Sequence, residues 1–191
     1  MKYILYRFLR PIIKVLMKLL FRFEVINSEN IPKSGAYILA GNHKHNFDCL
    51  SVIASNQRIV HFLAKKELLE GKFAWLFRNM GIIPVDRKTK NKKAMECADN
   101  VLLNDGVIGI FPEGTFNNTE YVVRPFKMGA VKMALDTNKK IVPFAIIGEY
   151  KLFRKTKIVF GKPYKIKSKD LKGENITLMN KVIKLMKYES N

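Results

Sequence analysis

Acidic residues and cysteines are scarce in this sequence. Sixteen Asp and Glu stand against 35 Lys and Arg among 191 residues, so the formal net charge is +19. A positive field of this size attracts anionic partners, which include nucleic acid, an anionic membrane surface and an acidic protein. The two cysteines, Cys49 and Cys97, indicate no disulfide framework, and this favours a reducing, cytosol-facing compartment.

The start of the chain lacks a long hydrophobic run. No apolar run among the first 23 residues exceeds four residues, whereas a membrane-spanning helix needs about 20. Basic residues recur through the whole segment, at positions 2, 7, 10, 14, 18 and 22. A signal peptide instead places its charges before an apolar stretch. On a helix, the last five of these basic residues gather on one side and leave a wide apolar face.

Such an amphipathic pattern is typical of helices that lie in a membrane interface. We therefore predict that residues 1–25 form membrane-docking helices, and that Pro11 marks a break or bend between two helical pieces. The expected location is the cytoplasmic face of the cell membrane, as a peripheral protein. A helix that packs on the protein's own core is the alternative.

Beyond residue 25, short apolar runs alternate with segments of helical periodicity. Candidate strands cover 36–40, 59–64, 81–85, 107–111, 141–147 and 157–161, and candidate helices cover 47–55, 73–79, 91–104, 127–138 and 174–188. This alternation predicts an α/β fold with a largely parallel central sheet covered by helices. We expect a single domain over residues 26–191.

Residues 41–50, GNHKHNFDCL, concentrate titratable side chains just after a predicted strand. His43 and Asp48 would lie about 140° apart on one continuous helix, so contact between them requires a turn. If the next helix begins around Asn46 or Phe47, Asp48 lies in its first turn, where its carboxylate can reach the imidazole and make it a directed general base. A metal site that includes His45 and a purely structural polar turn are the alternatives. No metal is predicted, because no further ligand stands at a recognisable spacing.

Three other predicted strands are followed by charged residues, namely Lys65, Arg87 and Glu113. The carboxyl ends of parallel strands meet at one edge of a sheet, so these side chains are expected to converge near His43. Arginine offers a bidentate fork for phosphate, and lysine offers a point charge. Gly114 would let the backbone approach a ligand closely.

Taken in order, N-H-x4-D, G-I-I-P-V-D-R, F-P-E-G-T and I-V-P-F-A-I resemble the motifs of the glycerolipid acyltransferase family over about residues 30–150. The likeness is greatest to bacterial 1-acylglycerol-3-phosphate acyltransferases. AKKEL (64–68) is similar to the family's lysine-bearing segment. Three residues depart from the family pattern: His45 replaces a small hydroxyl residue, Gly71 replaces a usual proline and Phe116 replaces a common arginine. Arg124 or Lys127 is the alternative cation for a phosphate contact.

The resemblance implies that His43, oriented by Asp48, removes the proton from the free hydroxyl of a lysophosphatidate. The alkoxide would then attack the carbonyl of an acyl thioester, with no covalent enzyme intermediate. Lys65 and Arg87 would hold the acceptor's phosphate, and Glu113 with Gly114 would position its glycerol. The implied substrate-binding residues are Lys65, Arg87, Glu113, Gly114 and Thr115.

The implied product is phosphatidic acid, which places the reaction in phospholipid biosynthesis. The donor would be acyl-acyl carrier protein or acyl-CoA, and no cofactor is expected. An acidic carrier protein and an anionic membrane would both be attracted to the basic surface. Nucleic acid is not an expected partner, because no recognised binding module is present. The alternative within the family is an enzyme that acylates glycerol 3-phosphate or another lysolipid.

Overall fold

The computed structural model describes residues 3–86 and 91–188, and strands alternate with helices along them. The strands are β1 (Glu24–Ile26), β2 (Tyr37–Gly41), β3 (Val60–Lys65), β4 (Ile83–Val85), β5 (Val107–Ile110), β6 (Lys140–Ile147) and β7 (Lys157–Phe160). The helices are α1 (Ile4–Phe21), α2 (Asp48–Ser55), α3 (Ala74–Asn79), α4 (Lys92–Leu103), α5 (Gly129–Thr137) and α6 (Leu171–Met186). Short 3₁₀ helices cover Ser28–Asn30 and Lys66–Leu69.

The strands of the described chain form one sheet in the order β1-β7-β6-β2-β5-β3-β4. Every neighbouring pair is parallel except β6 and β7. Strand β2 lies in the middle, with Tyr37 paired to Val107 on one side and to Lys140 on the other. The predicted α/β fold with a largely parallel sheet is therefore confirmed. Strand β1 was not predicted.

Helices cover both faces of the sheet, which explains why the strands read as nearly continuous apolar runs. Successive side chains of a strand point to opposite faces, and the neighbours Ile38 and Leu39 accordingly belong to two different core clusters. The cluster that contains Leu39 includes residues of α1 and α2. The other cluster includes residues of α4, α5 and α6.

Helix α1 is continuous, so the predicted break into two helical pieces at Pro11 was wrong. Proline removes one helical hydrogen bond, and packing of α1 against α2 keeps the chain helical across it. Tyr6, Met17 and Phe21 are buried in the core, which is the packing that the alternative interpretation predicted. No helix in the described ranges combines the length and apolar character needed to cross a bilayer.

A second side of α1 remains apolar and exposed, and we call it the exposed face of α1. Its residues are Ile4, Phe8, Ile12, Val15, Leu16, Leu19 and Leu20. At about 100° per residue they span roughly 160° of the helix. The helix therefore has an inward side that packs on the core and an outward apolar side whose residues are 37–65% exposed.

One hydrogen bond ties α1 to the sheet. The hydroxyl of Tyr6 accepts a 3.1 Å hydrogen bond from the amide of Val60, the first residue of β3. Tyr6→Phe leaves that buried amide unpaired, and we expect it to lower the free energy of unfolding by about 1–3 kcal/mol. Chemical denaturation measures the loss. Tyr121→Phe, at an exposed position, is the control and should change stability by less than about 0.5 kcal/mol. Equal stability of the two variants would contradict the prediction.

Candidate active site

The loop between β2 and α2 begins at Asn42, whose side chain is held by two hydrogen bonds. The side-chain amide of Asn42 donates to the carbonyl of Ile146 at 3.1 Å, and its oxygen accepts from the Ile146 amide at 2.7 Å. Asn42 is buried, so its side chain extends the backbone pairing of the sheet beyond the end of β2. The next residue, His43, is therefore held at the carboxyl edge of the central strand.

The structure brings His43 and Asp48 together. Nδ1 of His43 lies 2.8 Å from Oδ2 of Asp48, whose side chain is fully buried. The same oxygen accepts from the backbone amides of Lys44 at 2.7 Å and His45 at 2.8 Å. Three donors on one oxygen suit an ionised carboxylate, which only accepts. With Nδ1 donating, the neutral imidazole presents Nε2 as a proton acceptor.

The other oxygen of Asp48 is held from a distant part of the chain. The hydroxyl of Tyr150 donates to Oδ1 at 2.9 Å and also lies 2.7 Å from the Ser51 hydroxyl. Burial raises the pKa of Tyr150, so the hydroxyl stays protonated and remains a donor. No sequence motif marks Tyr150 as a site residue. Only its position in the sequence could have indicated a role, because Tyr150 follows β6 at the carboxyl edge of the sheet, where the predicted site residues gather.

Two aromatic rings fix the imidazole plane. Phe111 stacks on His43 with ring centroids 4.0 Å apart and planes 13° apart, and Phe116 approaches within 4.4 Å at 59°. Phe116 is one of the residues that depart from the family pattern, and its ring contacts the imidazole. The ring of His43 is therefore oriented by the Asp48 carboxylate at one nitrogen and by aromatic packing on its faces.

Glu113 joins two loops. Its Oε1 accepts from the amide of His43 at 2.7 Å, and its Oε2 accepts from the amide of Arg124 at 2.7 Å. Burial raises the pKa of Glu113, and the two amide donors oppose that shift. Both oxygens are engaged by backbone, so the carboxylate fixes the loops around His43. A contact between Glu113 and a substrate glycerol stays a prediction.

A cavity of about 220 Å³ lies beside the imidazole, and its lining includes His43, Gly114 and Lys127. Gly114 has φ +72°, and a β-carbon there would lie 2.8 Å from Nζ of Lys127. The absence of a side chain at Gly114 therefore leaves room for the Lys127 ammonium group in the cavity. Lys127 is one of the two cations that the sequence analysis offered in place of the usual arginine.

The remaining predicted residues lie around this cavity or outside the described chain. Lys65 is the exposed last residue of β3 and follows Ala64, which lines the cavity. Thr115 is exposed in the loop after Gly114. Arg87 lies outside the described residues.

His45 does not add its ring to the pair of His43 and Asp48. Its Nδ1 accepts from the amide of Phe47 at 3.2 Å, and the residue is exposed. Within the described ranges, no three His, Cys, Asp or Glu residues are grouped as metal ligands.

The sequence pattern of the acyltransferase family matches residues 22–147 of this chain. The chain belongs to the acyltransferase family. The matched range contains His43, Asp48 and Glu113, and the family and enzyme class predicted from the sequence are confirmed. Tyr150 lies three residues beyond it.

Several relatives carry a more specific name. The chain is 29% identical over 166 residues to the 1-acyl-sn-glycerol-3-phosphate acyltransferase of Bacillus subtilis, covering 83% of this chain and 82% of that protein. It is 37% identical over 139 residues to the enzyme of the same name from Borreliella burgdorferi, covering 71% of this chain and 55% of the relative. This acyltransferase thus matches most of the first relative and about half of the second.

A solved structure supports the fold. The 1-acyl-sn-glycerophosphate acyltransferase PlsC of Thermotoga maritima superposes with a TM-score of 0.76 and 22% sequence identity. The match covers 97% of this chain and 83% of that one. At this identity the likeness shows a shared fold, and it extends over nearly the whole acyltransferase.

Proposed function

We propose that this acyltransferase moves a fatty acyl group from an acyl thioester to the free hydroxyl of a 1-acyl-glycerol-3-phosphate. The product is phosphatidic acid. The single observation that carries the proposal is the His43 imidazole, bonded at Nδ1 to the buried Asp48 carboxylate beside a cavity that also holds Lys127. Relatives named for this reaction support the choice of acceptor.

In this mechanism, Nε2 of His43 takes the proton of the acceptor hydroxyl as its oxygen attacks the thioester carbonyl. Asp48 orients the ring and stabilises the imidazolium that forms. The tetrahedral intermediate then collapses, the carbon–sulfur bond breaks, and the imidazolium returns the proton to the departing thiolate. The ester and a free thiol are the products, and no acyl-enzyme intermediate forms.

The acceptor's phosphate is assigned to cations around the cavity. Lys127 lines it, Lys65 ends the neighbouring strand, and Arg87 follows β4 in sequence. Lysine supplies a point charge and arginine a planar fork that matches phosphate oxygens. Gly114 and Thr115 are assigned to the acceptor's glycerol, at the side of the cavity where Glu113 fixes the loop.

We assign the enzyme to the cytoplasmic face of the cell membrane as a peripheral protein, with residues 1–25 as the docking element and residues 26–191 as the acyltransferase domain. The exposed face of α1 supports this assignment, since it offers a wide apolar surface with basic residues along its border. The acyl donor is acyl-acyl carrier protein or acyl-CoA. The net charge of +19 suits an acidic carrier protein as well as an anionic lipid surface.

His43→Ala tests the reaction. Removal of the general base should lower kcat for acyl transfer to lysophosphatidate by about 10²–10⁴-fold, and near-UV circular dichroism should be unchanged. The matched control is His45→Asn, which keeps a side-chain acceptor for the Phe47 amide and should leave kcat unaltered. Turnover by His43→Ala equal to that of the control would remove the general-base assignment.

The same assay identifies the substrates. The wild-type enzyme is supplied with lysophosphatidate or glycerol 3-phosphate as acceptor, each with acyl-CoA and with acyl-acyl carrier protein. The proposal expects phosphatidic acid from the lysophosphatidate reactions. A product formed only from glycerol 3-phosphate would replace the proposed acceptor with the alternative one.

A further inference from the structure

The loop of residues 148–156, which joins β6 to β7, presents two large apolar side chains at its tip. Leu152 is 62% exposed and Phe153 is 70% exposed. Phe153 also has a φ of +61°, a left-handed conformation that is unfavourable for a bulky residue and is usually taken by Gly or Asn. Packing within the described chain does not offset that cost, because most of the ring is exposed.

The tip of the loop is hydrogen-bonded to the end of α1. The amide of Phe153 donates to the carbonyl of Leu20 at 2.7 Å, and the amide of Thr156 donates to that of Phe21 at 3.0 Å. The last carbonyls of a helix lack partners within the helix, and here this loop satisfies two of them. Leu20 belongs to the exposed face of α1, so the backbone of Phe153 is bonded directly to that face.

The charges around the tip are predominantly positive. Lys151 pairs with Glu149 at 2.7 Å and Lys155 pairs with Glu24 at 2.6 Å, which balances those two cations. Arg154 adds a further exposed cation beside Phe153. The last turns of α1 contribute Lys18 and Arg22, which are also exposed. An anionic lipid surface complements this arrangement of apolar tip and basic border.

We propose that Leu152 and Phe153 insert into an anionic bilayer as a second membrane contact, continuous with the exposed face of α1. This inference rests on the membrane docking in the proposed function and adds a second element to it. The loop would fix how the protein rotates about α1 on the membrane, because a single amphipathic helix defines only one line of contact.

The test is binding to vesicles of phosphatidylglycerol and phosphatidylcholine. The loop variant is Leu152→Ser with Phe153→Asn, since asparagine tolerates a left-handed backbone. Its matched control is Leu103→Ser with Ile176→Asn, which removes two exposed apolar residues from helices on the opposite face of the sheet. An α1 variant, Phe8→Gln with Leu19→Gln, tests the docking helix itself.

We expect the loop variant to bind these vesicles at least about tenfold more weakly than wild type, a loss that incomplete burial of two large apolar side chains can supply. The control should bind like wild type. Wild-type-like binding by the loop variant would overturn the loop proposal and leave α1 docking standing, provided that the α1 variant binds weakly. Absence of vesicle binding by wild type would overturn both proposals.

Insertion is measured directly with a single tryptophan. Phe153→Trp in a Trp75→Phe background places the only tryptophan of the chain at the tip. A blue-shifted emission that brominated lipids quench is the expected result. Emission that stays water-exposed on bound protein would overturn insertion of the tip.

A separate observation concerns Tyr150, at the base of the same loop. Its hydroxyl is bonded to Oδ1 of Asp48, while Oδ2 faces His43. We infer that Tyr150 is a positioning residue for the proposed reaction, and that its donor sets how strongly Asp48 stabilises the His43 imidazolium. Its ring also packs with Phe21 and Phe47, so loss of the hydroxyl must be separated from loss of the ring.

Four other titratable groups lie near this pair. They are Lys44, His45, Cys49 and Glu113. Burial lowers the pKa of Lys44 and raises the pKa of Cys49 to about 12. The thiol therefore stays neutral through the range in which a histidine titrates.

Tyr150→Phe keeps the ring and removes the donor. Negative charge then concentrates on the oxygen that faces His43 and favours the protonated imidazole. The acid limb of the profile of kcat/KM against pH should therefore move to higher pH, by up to about one unit. Tyr164→Phe, which removes a buried hydroxyl in the other core, is the matched control and should not move the limb.

A merely structural role would change thermal stability and leave the acid limb in place. An unmoved limb in Tyr150→Phe would therefore overturn the positioning role, while inactivity of the wild-type enzyme would overturn the proposed reaction instead. Near-UV circular dichroism of both tyrosine variants verifies that the comparison is made between folded proteins.

Discussion

One buried carboxylate, that of Asp48, connects the chain segments that form the candidate active site. Its two oxygens accept from the His43 imidazole, from two amides of the loop after β2 and from the Tyr150 hydroxyl beyond β6. A buried carboxylate without such donors would carry a large desolvation cost. The fold therefore has to bring these donors together, and in doing so it fixes the tautomer and direction of the imidazole.

The loop that contacts Asp48 through Tyr150 also contacts the end of α1 at the protein surface. Tyr150, which bonds Asp48, and Phe153, which bonds the end of α1, are three residues apart in one loop. The rings of Phe21 and Phe47 pack around Tyr150 and connect α1 with the start of α2.

Local patterns predicted most of the fold, and tertiary packing accounts for the differences. Apolar runs and helical periods located six strands and five helices of the sheet domain, whereas β1 is only three residues long and its partner β7 lies more than 100 residues away. The continuity of α1 through Pro11 depends on packing against α2, which no local rule contains. In the site, the turn from His43 to Asp48 was predictable because it is local. Tyr150, and the use of both Glu113 oxygens by backbone amides, depend on contacts between distant loops.

We propose that Asp48 directs the His43 imidazole as the base for acyl transfer. The measurement that tests this role is kcat of Asp48→Asn with lysophosphatidate and an acyl thioester, beside thermal unfolding of the same protein. Asparagine retains one oxygen for the backbone amides but cannot supply the negative charge. We expect a folded enzyme whose kcat is lower by about 10²-fold or more. A folded Asp48→Asn enzyme with wild-type kcat would contradict this role of Asp48.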